Sequence, residues 1–266
     1  MNSWVVLRGI SLFGPGLTLW SQAVPVLRGE APWIDTRPAP PPPAMLSPNE
    51  RRRCGLPARL ALAVSAEATA LSGLPPDQLA CVFASSNGEG GVVHELLQTL
   101  AGPDPAVSPT QFHNSVHNAV AGYWSIGTKS DQDVTCLACS DWTFATAMLQ
   151  AVAACRAGGA NVLLCVYDAP VPQPLGADRR TAFSFAVALV LSPPGEAPGM
   201  ARIDVRISPE PIATDTPPRH PALAALVAGN AAARCLRLAE TIALAEADSI
   251  DLALPDGHLV IEVAPC

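Results

Sequence analysis

The chain has 266 residues, with 16 Lys and Arg against 23 Asp and Glu, for a formal net charge of −7. Hydrophobic residues make up 49% and charged residues only 15%, enough for a large core and some further covered surface such as a subunit interface. The acidic balance argues against a nucleic-acid-binding surface, and the one basic cluster, Arg51, Arg52 and Arg53, reads as the solvated start of a helix.

Aromatic residues are 5% of the chain, so the core is expected to rest on Ala, Leu and Val. Residues 4–16 alternate as a strand that leaves through a Gly-Pro-Gly turn. No basic stretch precedes this apolar run, and Arg8 and Gly9 interrupt it, unlike a signal peptide. No uninterrupted run suits a membrane-spanning helix, and the chain is read as cytoplasmic. Residues 38–48, PAPPPPAMLSP, form an extended connector. Residues 56–71 have helical composition and stop at Gly73-Leu74-Pro75-Pro76. Residues 79–85 read as a short buried strand, 87–91 as a turn and 92–100 as a helix.

A loop at 103–109 precedes a helix expected over 115–125 and a strand over 134–138. Residues 142–157 are apolar on every face, so this helix is expected to be enclosed on all sides. Gly158 and Gly159 stop it, and 161–167, NVLLCVY, is a continuous apolar strand of the kind covered on both faces. Residues 183–191 form another. Residues 201–207 alternate, 221–247 are helical in composition, and 259–263 form a last short strand. Strands and helices alternate, which predicts an α/β fold with a mixed, mostly parallel sheet flanked by helices around a buried helix. No strong boundary appears, so residues 1–266 are taken as one domain.

The eight cysteines, Cys54, Cys81, Cys136, Cys139, Cys155, Cys165, Cys235 and Cys266, are scattered and mostly flanked by apolar residues. They read as small buried hydrophobes. Cys136 and Cys139 have C-x-x-C spacing, but no second pair or histidine pair completes a zinc site. No metal and no cofactor is expected. The turn Ser85-Ser86-Asn87-Gly88-Glu89-Gly90-Gly91 gives neither G-x-G-x-x-G nor a P-loop, which leaves a nucleotide-dependent oxidoreductase as a remote alternative.

Four segments carry a resemblance to β-ketoacyl synthases of the thiolase superfamily. They are the glycine-rich turn at 85–91, Ser108-Pro109 with the segment 115–122, residues 134–143, and Gly158-Gly159-Ala160-Asn161-Val162. The resemblance covers about residues 1–195 and implies the N-terminal half of the thiolase-like fold, with 196–266 completing or covering it. In an active synthase a Cys opens the turn at the helix N-terminus, where the helix dipole and backbone N–H groups favour thiolate and oxyanion. Counting back from Asn161 places Asp141 there, with Cys139 two residues early and still on the strand. Asp141 cannot replace the thiolate in thioester exchange, though it suits a helix cap. The two catalytic histidines expected of the family's C-terminal half have no matching motif. His220 and His258 read as loop histidines.

The pattern is similar to short synthase-like chain-length factors of aryl polyene-type pathways. It implies a non-catalytic subunit that pairs with a catalytic ketosynthase and meets acyl carrier protein through that partner. By the same resemblance Gln111, Phe112, His113, Asn114 and His117 lie at the partner and acyl-pocket interface. The plainer reading has His113 and His117 stacked on one helix face. The alternative function is a minimal thioester-dependent acyltransferase using Cys139, or Ser140, with His113 or His117 as base.

Overall fold

Two strands, one buried along its whole length and the other at all but its first residue, set the centre of the molecule. The computed structural model describes residues 4–177, 181–195 and 199–266. Its strands are β1 (Val5–Gly14), β2 (Leu17–Thr18), β3 (Leu79–Ala84), β4 (Val134–Leu137), β5 (Asn161–Asp168), β6 (Phe185–Ser192), β7 (Ala201–Ser208), β8 (Asp248–Leu254) and β9 (Gly257–Pro265). They form one sheet in the order β4-β3-β5-β6-β1-β7-β9-β8, with β2 hairpinned onto β1. The helices are α1 (Leu19–Leu27), α2 (Pro48–Arg53), α3 (Leu56–Ser72), α4 (Gly90–Ala101), α5 (Pro109–Ser115), α6 (Ala119–Thr128), α7 (Thr143–Gly158), α8 (Pro221–Gly229) and α9 (Leu236–Leu244).

Side-chain alternation on β5 and β6 divides the interior in two. Val162, Leu164 and Val166 of β5, with Phe185, Val187, Leu189 and Leu191 of β6, face a core that includes α7, α9 and α1. Leu163, Cys165 and Tyr167, with Ala186, Ala188 and Val190, face the core under α3 and α6. The central strands are therefore sandwiched between helical layers, as their unbroken apolar runs predict. The second core stops at β1. Beyond it, β7 alternates buried and exposed positions, and its open side carries charged residues such as Arg206, which pairs with Glu262 of β9.

The sheet is mixed, but the expectation of mostly parallel pairing is not met. Only β3–β4 and β3–β5 are parallel. The pairs β5–β6, β1–β6, β1–β7, β7–β9 and β8–β9 are antiparallel. A strand covered on both faces reads as the same apolar run whichever way its neighbours point. Parallel neighbours require a long crossover, and the links from β5 to β6 and from β6 to β7 carry no α-helix among the described residues.

Several predicted elements also divide or shift. The helix expected over 115–125 breaks at Val116, which is extended (φ −74°, ψ 144°), so His113 and His117 do not share a helix face. The helical stretch 221–247 breaks at Asn230 (φ −158°, ψ 128°), passes through a 3-10 turn at Ala231–Cys235 and resumes as α9. The hairpin of β8 and β9 follows, so His258 lies on a strand rather than in a loop. Arg51, Arg52 and Arg53 close α2 rather than start it, where cations complement the helix dipole. Helix α7 is enclosed only along one face, because Gln150, Ala153, Arg156 and Ala157 are exposed. Residues after 195 both extend the sheet and cover it. β7 pairs with β1, and the turn Ala231–Cys235 packs on α7.

The sheet's two edges differ. The outer edge of β8 is occupied: Asp251 N donates to Thr216 Oγ1 (2.9 Å), Thr216 N donates to Asp251 O (2.8 Å) and Ala253 N donates to Asp215 Oδ1 (2.8 Å). β4 pairs with β3 on one side only, and Val134 and Thr135 are exposed.

Helix α3 approaches β1 at backbone distance where Gly9 follows a register shift. A Cβ there would strike the Ala68 carbonyl oxygen and come 2.9 Å from Ser72 N. Gly9→Val is expected to lower unfolding free energy by about 3 kcal/mol, read as a drop in the denaturation midpoint with unchanged slope.

Candidate functional site

The elbow forms where edge strand β4 ends and α7 begins. The chain turns through Ala138 and Cys139 into a 3-10 turn at Ser140–Trp142. Cys139 therefore lies past the strand end, not on it. Ser140 takes a left-handed backbone (φ 50°), an uncommon conformation for a residue with a side chain. Thr143 secures this turn: its Oγ1 accepts from Cys139 N (3.0 Å) and donates to Ser140 O (2.7 Å). Asp141 does not cap α7 as expected. The N-cap is Trp142, with no side-chain cap bond, and the exposed Asp141 lends its backbone carbonyl to Arg234 Nη1 (2.7 Å).

The turn at 85–91 packs against this elbow and is anchored by Asp168, the fully buried last residue of β5. Asp168 accepts from Ser85 Oγ (2.8 Å), Ser86 Oγ (2.9 Å) and Asn87 N (3.0 Å). Burial pushes its pKa above the usual carboxylate range, while these hydrogen bonds pull it back. Ser86 Oγ also lies 2.8 Å from Ser140 O. Three donors of the turn, Ser85 Oγ, Ser86 Oγ and Asn87 N, are thus directed at a carboxylate already in place.

Between turn and elbow opens a cleft of 640 Å³, lined among others by Ser86, Asn87, Ser140, Asp141, Asn230 and Arg234. Arg234 closes its floor. Its Nε and Nη2 reach both Asp215 oxygens (2.5 and 2.6 Å), and Nη2 also donates to Ala253 O (2.8 Å). This fork matches the carboxylate geometry and joins the elbow to the covered edge of β8. Asn230 Nδ2 donates to Phe183 O (2.8 Å) and Asp168 O (3.3 Å). Sequence reasoning missed Asp168, Asp215, Asn230 and Arg234. The signal for Arg234 was a lone arginine in the apolar stretch 231–236.

The predicted site residues separate into three places. Cys139, Ser140 and Asp141 share the elbow. His117 lies behind the glycine-rich turn, its Nε2 3.1 Å from Ser85 O. Gln111, Phe112 and His113 lie on α5: Gln111 Nε2 donates to Glu95 Oε2 (3.1 Å), and Phe112 is 66% exposed. His113 lines a separate 300 Å³ hollow with Arg53 and Tyr123. Asn114 is buried and joins Tyr123 Oη (2.9 Å) to Arg53 O (3.0 Å), so it holds α5, α6 and α2 together. Among the described residues no hydrogen bond links either histidine to Cys139 or Ser140. Neither His220 nor His258 lines the cleft. His258 Nδ1 lies 2.5 Å from Glu210 O.

All eight cysteines are free. Burial pushes the thiols of Cys54, Cys81, Cys155 and Cys165 up to about 12, which makes them inert. Cys139 is only half-buried. Among the described residues no three His, Cys, Asp or Glu side chains converge as a metal site needs, and no helix is long and apolar enough to cross a membrane.

Residues 27–235 match the family described as beta-ketoacyl synthase, N-terminal domain. The chain belongs to the β-ketoacyl synthase family. Solved structures give this synthase-like chain its fold. A structure of the ketosynthase ApeO in complex with its chain length factor ApeC from Xenorhabdus doucetiae superposes with a TM-score of 0.70 at 21% identity, covering 99% of this chain and 100% of that one. The ishigamide ketosynthase/chain length factor gives 0.70 at 14% identity, covering 98% and 99%. AntDE:AntF, a type II polyketide synthase acyl-carrier protein in complex with its ketosynthase bound to the hexaketide, gives 0.75 at 11%, covering 100% of both chains. No curated protein matches the chain. The thiolase-like reading of the fold is borne out.

Arg234→Met is expected to destabilise the synthase-like chain by about 3 kcal/mol, because it strands the largely buried Asp215 carboxylate. The double variant Arg234→Met/Asp215→Asn should recover part of that loss. A double-mutant cycle by chemical denaturation measures the coupling.

Proposed function

We propose that this chain is a non-catalytic, chain-length-factor-like subunit that pairs with a catalytic ketosynthase. The observation that carries this reading is the elbow. Ser140 takes the left-handed position, Asp141 follows it, and among the described residues no histidine lines the cleft beside them. A serine hydroxyl without a base is a weak nucleophile, and the Asp141 carboxylate would oppose a developing oxyanion. The chemistry then belongs to the partner: decarboxylative condensation of an acyl thioester with a malonyl group on an acyl carrier protein.

The surface supports pairing. Of the ten large exposed hydrophobics among the described residues, six, Leu97, Leu100, Phe112, Val116, Ile126 and Val134, fall in the segment from α4 to β4, and Ile34, Leu56, Leu71 and Ile207 lie elsewhere. Such a concentration suits a face covered by another protein. The similar structures of a ketosynthase with its chain length factor support the choice of partner. In this reading Phe112, with Gln111 and His113 beside it on α5, reaches towards the partner's acyl pocket, and the pair works in the cytoplasm as one synthase-like unit. Asn114 and His117 support that face from within.

Affinity purification of the chain from its own host is expected to give a one-to-one complex with a ketosynthase by native mass spectrometry. In that complex Phe112→Trp should shorten the acyl products and Phe112→Ala lengthen them. Unchanged lengths in both variants would remove Phe112 from the pocket.

A second reading, a minimal acyltransferase, is favoured by one observation: Cys139 adjoins the left-handed residue and is less buried than most of the other cysteines. Incubating the isolated chain with an acyl thioester separates the two. The subunit reading expects no acyl adduct on Cys139 by peptide mass spectrometry, and a stoichiometric adduct would favour the enzyme.

A further inference from the structure

Glu89 opens α4 yet turns away from it. Its side chain makes no cap bond to α4 and is buried, at 6% exposure. It points to the first turn of α3, where the Ala58 backbone favours its charged form. That helix begins at Gly55, which has no side chain to cap it. A Cβ at Gly55 would lie 2.6 Å from Glu89 Oε2. The carboxylate thus occupies the space a capping side chain would fill, and it comes from another helix.

Its surroundings leave the charge uncompensated. Cys54 and Arg53 lie at the end of α2, Arg59 on α3, Tyr123 on α6, and Tyr167 and Asp168 on β5. His117 approaches the neighbouring Gly88. Among the described residues none of these arginines or histidines forms an ion pair with Glu89. The Ala58 backbone and the dipole of α3 favour the anion, but burial outweighs them and pushes the carboxyl up to about 7.

We propose that Glu89 is a proton-controlled clasp between α3 and α4, holding the start of α4 in place when protonated and loosening it on ionisation. This is a property of the chain itself and does not rest on its pairing with a ketosynthase. The direction follows from linkage. The folded state holds the proton more tightly than the unfolded chain, whose carboxyl titrates in its ordinary range. The stabilisation is complete below that range, is lost as pH rises towards about 7, and changes no further above it. Gln111 Nε2 bonds Glu95 Oε2, so loosening of α4 extends to α5.

Hydrogen–deuterium exchange on the isolated chain tests this at about pH 5.5 and about pH 8, corrected for intrinsic rates. Amides of residues 90–115 in the wild type are expected to exchange about tenfold faster at the higher pH. Glu89→Gln should remove most of that difference. Gly55 has φ −66° and ψ 173°, which any residue can adopt, so Gly55→Ala acts by displacing the carboxylate and should speed exchange at both pH values. Equal corrected rates in the wild type, or a pH response that persists in Glu89→Gln, would overturn the clasp. If Glu89→Gln does not fold, a carbon-13 titration of the wild-type carboxyl decides. A midpoint near 7 supports the clasp, and one in the ordinary carboxylate range ends it.

Discussion

A buried carboxylate that forms no ion pair among the described residues holds the functional end of this molecule together. Asp168 ends the central strand β5 fully buried, and among the described residues the hydrogen bonds to its carboxylate come from the turn at residues 85–87. Through Ser86 that turn meets the elbow at Ser140, through Asn87 it meets Thr181, and through the Ser85 carbonyl it meets His117. The Asp168 backbone carbonyl receives Asn230 from the C-terminal segment. Four separate parts of the chain are thus registered on one strand end. Buried carboxylates are costly unless fully hydrogen-bonded, so any rearrangement of the turn exposes that cost. The elbow's geometry follows from this restraint more than from the residues of the elbow itself.

The core shows how a chain with few aromatic residues closes its interior. Ala58, Ala61 and Ala68 of α3 meet Ala186 and Ala188 of β6, and Gly9 completes the contact on β1. Small side chains on both partners let the helix lie close to the sheet, which trades the bulk of large residues for dense backbone contact. This layer stops at β1. Beyond it, β7 exposes charged residues such as Arg202 and Arg206 on its outer side.

What the sequence made legible was what local pattern dictates. The apolar runs of β5 and β6, the Ala-rich α3 and the order of elements from 134 to 168 were all readable, because period and turn residues act over short range. Strand direction was not, since β5 and β6 bury both faces and their composition is the same in either pairing. The break at Val116 escaped because neither Gly nor Pro marks it. Arg234 and Asp168 escaped because their meaning lies in partners far along the chain. Within the site, the elbow was located correctly by its position before α7. The residue in the left-handed conformation, Ser140, was set by the Thr143 and Ser86 contacts rather than by its own propensity.

The unequal edges of the sheet give the molecule a valence. Unpaired strand edges are templates for further strands. Residues 215–216 and Arg234 already fill β8, whereas β4 offers its outer side to solvent. Growth by strand addition can therefore happen once and then has nowhere to continue. Among the described residues one end of the sheet is open to a further strand, so strand addition there would stop at a pair.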